Sequence, residues 1–152
     1  MTKYRLLNND ELAHFEEEFI KYLVVNGIAA DDWRKLVQDK PDDAQKIVDL
    51  FSDVVFEKIM RQTDYLDFRS PSYIQSIHCL PEKMITVALS VQDKSIDLSV
   101  FDWQSADPKL FVVHKAEKAY TANREKELFE LTEKGFVPSD GKLYKALMLA
   151  SV

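Results

Sequence analysis

Glycine, cysteine and histidine are scarce in this chain: 152 residues carry three, one and three of them. Average glycine usage is about 7%, so roughly ten would be ordinary. With only Gly27, Gly135 and Gly141, no GxGxxG, GxxxxGKS/T or GxSxG pattern forms. This excludes the commonest phosphate-cradling loops and the nucleophile elbow. The single Cys79 excludes an internal disulfide framework and a cysteine-based zinc site. Long apolar runs are also missing. Leu23-Val24-Val25 is typical of the longest, whereas a membrane helix needs about 20 such residues.

Basic runs are absent too. The net charge is -6, with 13 acids against 9 bases in residues 1–62 and six of each in residues 116–152. A nucleic-acid binder carries a basic stripe to neutralise phosphates, so that class is disfavoured. Residues Met1–Asp10 lack an apolar signal core. The expectation is a cytoplasmic protein with no membrane partner and a reduced Cys79.

What is present is 46% hydrophobic residues, enough for a core, and the length suits one domain over 1–152. Asn8 with Glu11 forms a capping box. Leu12, Phe15, Phe19, Tyr22 and Leu23 then recur at helical spacing up to Gly27, a C-cap. A short helix is expected over Asp31–Asp39 and a long one over Asp42–Gln62. In the long one Val54, Val55, Phe56, Ile59 and Met60 wrap most of the circumference, a pattern of burial on both sides.

Beyond Gln62 the period changes. Ser70-Pro71 reads as an N-cap and single helical turn. Met84–Gln92 and Ser95–Val100 alternate apolar with polar residues, which predicts a hairpin. Ile77–Leu80 and Leu110–His114 read as further strands. Leu128, Phe129 and Leu131 form a helix that stops at Gly135. Ser139 or Asp140 then caps a closing helix whose buried side is Leu143, Tyr144, Leu147 and Met148. Segregated helices and strands predict an α+β fold: N-terminal helices, a central antiparallel sheet of about four strands and a C-terminal helical pair.

No catalytic constellation stands out. His78 adjoins Cys79, but neighbours on a strand face opposite ways, so Cys79 reads as a buried residue. His14 with Glu17 or Glu18 has ligand spacing on a helix yet reads as a solvated face, and no metal or cofactor is expected. Asp49, Asp53, Glu57 and Arg61 form one line on the long helix, beside Phe56 and Met60. Their ordinary reading is a solvated stripe with intrahelical ion pairs. Enclosed acids with an Arg partner would instead make a polar binding site. Aromatics gather in Tyr65–Arg69 and in Phe101-Asp102-Trp103.

Several segments together resemble a known family. They are Lys3-Tyr-Arg-Leu6, Leu23-Val-Val-Asn-Gly-Ile28 with Asp31-Asp-Trp33, and Leu50-Phe-Ser-Asp-Val-Val-Phe-Glu57. Tyr65-Leu66, Arg69-Ser-Pro71, Ser139-Asp-Gly141 and Leu143-Tyr144 complete the set. The chain is similar to a family of short soluble proteins from Bacteroidota, catalogued as a domain of unknown function. The resemblance implies a bacterial cytosolic origin and transfers no activity or site residue.

Two functional expectations follow. The first is a non-catalytic module that binds a protein partner or itself as a homodimer, through the Phe56/Met60 region and nearby aromatics. The second is a small enzyme or ligand-binding domain. Its pocket would lie between helix 42–62 and the sheet, lined by Asp53, Glu57, Tyr65 and Arg69.

Overall fold

A computed structural model describes residues 3–151, and the chain divides into two compact units, Met1–Ile59 and Met60–Val152. The first unit is helical. Helix α1 (Asn9–His14) opens on the Asn8–Glu11 capping box. At Phe15 the backbone leaves helical geometry, and α2 (Glu16–Val25) starts afresh. The single helix expected up to Gly27 is therefore two. The break puts Glu16, Glu17 and Glu18 in a first turn, where the helix dipole favours acids. Gly27 closes α2 at φ 76°, with Gly27 N–H on Val24 O and Ile28 N–H on Leu23 O. That is the Schellman closure for which glycine is the usual residue.

Helix α3 (Ala30–Asp39) follows, then α4 (Pro41–Arg61), which opens on proline, where a missing N–H costs nothing. The core of this unit is aromatic. Phe19 packs edge-on to Trp33 at 5.2 Å and against Phe51 at 4.9 Å, and Tyr22 meets Phe51 at 5.4 Å.

The second unit is built on one antiparallel sheet. Strands β1 (Tyr65–Arg69), β2 (Tyr73–Cys79), β3 (Lys83–Val91) and β4 (Phe111–Ala119) form a meander. Helix α5 (Arg124–Glu133), β5 (Val137–Ser139) and α6 (Lys142–Ala150) complete it. The strand order is β4-β3-β2-β1-β5. The α+β class holds, with five strands in the sheet. Two of these strands, β1 and β5, are unexpected, and one expected strand, Ser95–Val100, is absent; β5 separates the two C-terminal helices. It pairs Tyr65 with Ser139 and Asp67 with Val137.

One face of the sheet is packed by α6. Ile74, Val87, Leu89 and Val91 share that face by register, and they meet Leu143 and Leu147 of α6 in a buried cluster. Leu98 closes the same cluster from a loop, with Trp103 partly buried against it.

Two expected elements are replaced by turns. Ser95–Val100 is not a strand. The Asp93 carboxylate accepts from Ser95 N–H at 2.9 Å and Ser95 O–H at 2.7 Å. Asp97 repeats the motif with Ser99. These Asx turns bend the backbone, while the alternation survives as Ile96 and Leu98 pointing inward. Leu98 N–H bonds Pro71 O at 2.7 Å. Ser70-Pro71 starts no helix; it turns β1 into β2, with Ser70 N–H and O–H both on Tyr73 O.

Candidate functional site

The six residues singled out in the sequence are Asp53, Phe56, Glu57, Met60, Tyr65 and Arg69. The structure distributes them over four local settings. The first belongs to the helical unit. Ser52, Asp53, Phe56 and Glu57 lie on one face of α4, since their spacing follows the helical turn. The segment Lys3–Leu7 lies along that face. The Asp53 carboxylate accepts from Lys3 N–H at 2.8 and 2.9 Å and from Tyr4 N–H at 3.0 Å. Glu57 accepts from the Tyr4 hydroxyl and pairs with Lys3 Nζ at 3.2 Å. Leu7 N–H reaches the buried Ser52 Oγ at 3.1 Å.

Arg5 adds a bridge over this face. Its guanidinium sits 4.7 Å above the Phe56 ring and grips Glu11 with two bonds, at 2.7 and 2.9 Å. That fork, with the Asn8 N–H bond, holds the Glu11 carboxyl down at about 2. Asp53 is thus an acceptor for the main chain of a strap, and Glu57 for two of its side chains. A carboxylate that ends two or three N–H bonds has little capacity left for substrate. Phe56 and Met60 are 7% and 3% exposed, so they offer no surface to a partner.

Met60 leads to the second setting, a knot around Arg124. The guanidinium donates to four main-chain carbonyls: Met60 at 3.0 Å, Thr63 at 2.6 Å, Cys79 at 3.0 Å and Leu80 at 3.2 Å. Tyr120 O–H also reaches Leu80 O, at 2.8 Å. Only arginine has enough donors in one plane for this task. The side chain is 12% exposed and keeps Glu125 as a counter-charge at 3.5 Å. Burial pushes the Cys79 thiol up to about 12 and the Tyr120 hydroxyl to about 12. Cys79 is therefore a neutral thiol at ordinary pH, not a nucleophile. The sequence carried no signal for Arg124, because a ligand set made of carbonyls has no residue code.

Tyr65 occupies the third. Its ring stacks on His78 at 4.6 Å and 15°, and Tyr144 closes on both at 5.5 and 5.3 Å. Gly141 lies directly beneath. It has φ +86°, and a Cβ there would fall 2.6 Å from the Tyr65 ring. Gly141 itself is the N-cap of α6, while Asp140 Oδ1 accepts from Lys142 N–H. Arg69 marks the fourth, at the other end of β1. Asp67, Arg69, Val137 and Ser139 share the α6 side of the sheet by register. They line a groove of about 390 Å³ with Gly135 and Pro138. Ser76 O–H holds Asp67 at 2.6 Å.

A different surface lies on the first unit, between α2 and α3. A groove of about 280 Å³ is lined by Phe19, Leu23, Ile28 and Trp33, with Ile20 and Val24 on its lip. Glu16 stands at this groove on α2 and Arg34 on α3. Ile20, Val24 and Val25 are 53%, 65% and 85% exposed. These residues sit one step off the stripe formed by Phe19, Tyr22 and Leu23. That offset is visible in the sequence, and it is the signal the buried-stripe reading passes over.

Among the described residues no three His, Cys, Asp or Glu side chains are placed to hold a metal ion. His78 and Cys79 alternate across β2 and so face opposite sides of the sheet. An α+β chain with partly buried acids bonded to its own backbone and side chains, an inert thiol and an open apolar groove is the class the geometry defines. Residues 1–151 match the profile of a family of unknown function (DUF6495), and the chain belongs to that family. No curated protein matches it, and no solved structure does.

Proposed function

We propose that this protein is a non-catalytic interaction module whose helical unit docks an apolar helix of a partner protein in the α2–α3 groove. The observation that carries the reading is the exposure of Ile20 and Val24 beside the hollow lined by Trp33. An open apolar channel between two helices suits a partner helix that places apolar residues at i, i+3 and i+4. Trp33 provides the large ring around which binding energy concentrates. Glu16 and Arg34 offer charges of both signs to fix orientation. The acidic balance and the lack of a basic stripe argue against nucleic acid.

The same reading places the chain in the cytoplasm of a bacterium, as its sequence resemblance implies. Among the described residues, no helix is long and apolar enough to cross a membrane. The test is a capture experiment with cross-link mapping, comparing wild type with Val24→Glu. The reading predicts a partner cross-linked to residues 16–34 and lost in the variant. Capture that survives Val24→Glu, or cross-links that all fall elsewhere, contradicts it.

A second reading rests on Arg69. Its guanidinium is exposed and makes no recorded hydrogen bond or ion pair among the described residues, yet it lines the β1–β5 groove beside Asp67. That suits a small anion bearing a hydrogen-bond donor. Titration with inorganic phosphate, followed by backbone NMR shifts at 67–69 and 135–139, tests it. Shifts lost in Arg69→Gln support it; an unchanged spectrum removes it.

A further inference from the structure

The sheet ends on β4, a nine-residue edge with an unbroken register from Phe111 against Val91 to Ala119 against Lys83. The other edge, β5, has three residues, one of them Pro138, and so is blunted. β4 has no proline and no bulge, and residues 114–119 are all exposed.

Which main-chain groups point outward follows from the ladder. Leu80 N–H bonds Lys83 O, and Val91 N–H bonds Ser72 O. In an antiparallel pair, hydrogen-bonded and non-bonded positions alternate. Ile85, Val87 and Leu89 therefore turn their main-chain groups to β2, and Met84, Thr86, Ala88 and Ser90 turn theirs to β4. The β4 partners of the latter are Lys118, Ala116, His114 and Val112. The N–H and C=O groups of Val113, Lys115, Glu117 and Ala119 are left facing outward. β4 is the terminal strand of the sheet and pairs with β3 alone, so among the described residues no strand takes up these groups.

We infer that β4 pairs antiparallel with β4 of a second copy about a two-fold axis at Ala116, joining the two sheets into one. The charges select this register. Centred on Ala116, Lys115 opposes the partner's Glu117, and the symmetry repeats the pair. Val113 then opposes the partner's Ala119, and two small Ala116 side chains meet at the axis. All these outward-facing positions pair with outward-facing positions, as a ladder requires. A shift to Lys115 or to Glu117 sets a like charge against itself, which is destabilising. A shift to His114 leaves Lys115 opposite Val113, with no countercharge. Glu117 also binds Lys83 Nζ within its own chain at 3.1 Å, so the carboxylate is already oriented at this edge. The inference does not rest on the α2–α3 groove.

Sedimentation equilibrium on the full chain tests it, with hydrogen exchange read at β4. Wild type forms a dimer that slows exchange at Val113, Lys115, Glu117 and Ala119 as concentration rises. Lys115→Pro removes an outward N–H without touching the β3–β4 ladder, and it yields a monomer with the wild-type circular dichroism spectrum. Lys115→Glu and Glu117→Lys each weaken the dimer about tenfold, because two reciprocal pairs become like-charged. The double exchange restores it. A monomeric wild type overturns the inference. So does a dimer that ignores Lys115→Pro, or one whose affinity the double exchange fails to recover.

Discussion

Each unit is held together internally by its own use of charge, and the two uses are opposite. In the helical unit, the Asp53 carboxylate on α4 accepts two N–H groups of an extended strap, so an anion organises main-chain donors. In the sheet unit, one guanidinium donates to carbonyls at the end of α4 and at the end of β2, so a cation organises main-chain acceptors. The sheet unit's core of Ile74, Val87, Leu89 and Leu147 is 2% exposed or less. Both units leave apolar residues open, Val100 and Leu149 in the sheet unit and Ile20, Val24 and Val25 in the helical one, where Ile20 and Val24 flank the α2–α3 groove. A charged group that satisfies buried main chain is a scaffold part, whatever its resemblance to a catalytic acid or base. On the reading proposed above, a partner docks in the apolar groove between α2 and α3.

The largest way to break the comparison is Arg124→Ala. It strands four carbonyls in a closely packed place, and we expect a loss of about 3 kcal/mol in the sheet unit by chemical denaturation. Arg124→Lys recovers part of this, since an ammonium has fewer donors and no fork. Next comes Gly141→Ala. The left-handed φ and the overlap with the Tyr65 ring together cost roughly 2 kcal/mol. Tyr65→Ala in the same chain relieves the overlap, so the double variant is less damaged than the two losses summed.

Asp53→Ala is smaller, about 1–2 kcal/mol. Its effect is confined to the strap: limited proteolysis at residues 3–7 accelerates while the sheet unit's stability is unchanged. Smallest is Glu11. Its folded carboxyl titrates near about 2, held down first by the Arg5 fork. A lowered folded value gives stability that is complete above the ordinary carboxylate range and fades as pH falls toward about 2. Glu11→Gln removes that part of the acid dependence, read as a flatter melting temperature between pH 4.5 and 2.

Much of the fold was legible because periodicity is local. The Asn8 box, the Gly27 stop, α3, α4, β3 and both C-terminal helices lie close to where spacing puts them. The failures have separate causes, and β1, five residues at Tyr65–Arg69, stands out in the sequence only for its aromatics. Asp93 and Asp97 bend a chain whose side chains still alternate, so period two at Ile96 and Leu98 reports inward direction without strand pairing. β5 is three residues long and contains Pro138, too short to show a period. The site was less legible. Asp53 and Glu57 stood out, but Asp53's partners are the main-chain N–H groups of Lys3 and Tyr4 and Glu57's are the side chains of the same two residues, about 50 positions away in sequence, which no spacing encodes.

The segments that carry the family resemblance are nevertheless paired in space. Lys3–Leu6 meets Asp53–Glu57, and Tyr65 meets Gly141 and Tyr144. Each pair is a scaffold contact, consistent with a family pattern that contains no chemical motif.

The central claim is that the sheet unit's core is sealed behind α6, while the helical unit depends on its strap and keeps an apolar groove open. Residue-resolved hydrogen exchange of the full chain tests it most directly. The account predicts slowest exchange in β2 and β3, at Ile74–Ile77 and Thr86–Leu89. Residues 16–37 should open at lower free energy, and Asp53→Ala should lower the protection of the first unit while leaving β2 and β3 unchanged. Equal protection across both units, or a loss in β2 and β3 on Asp53→Ala, would contradict it.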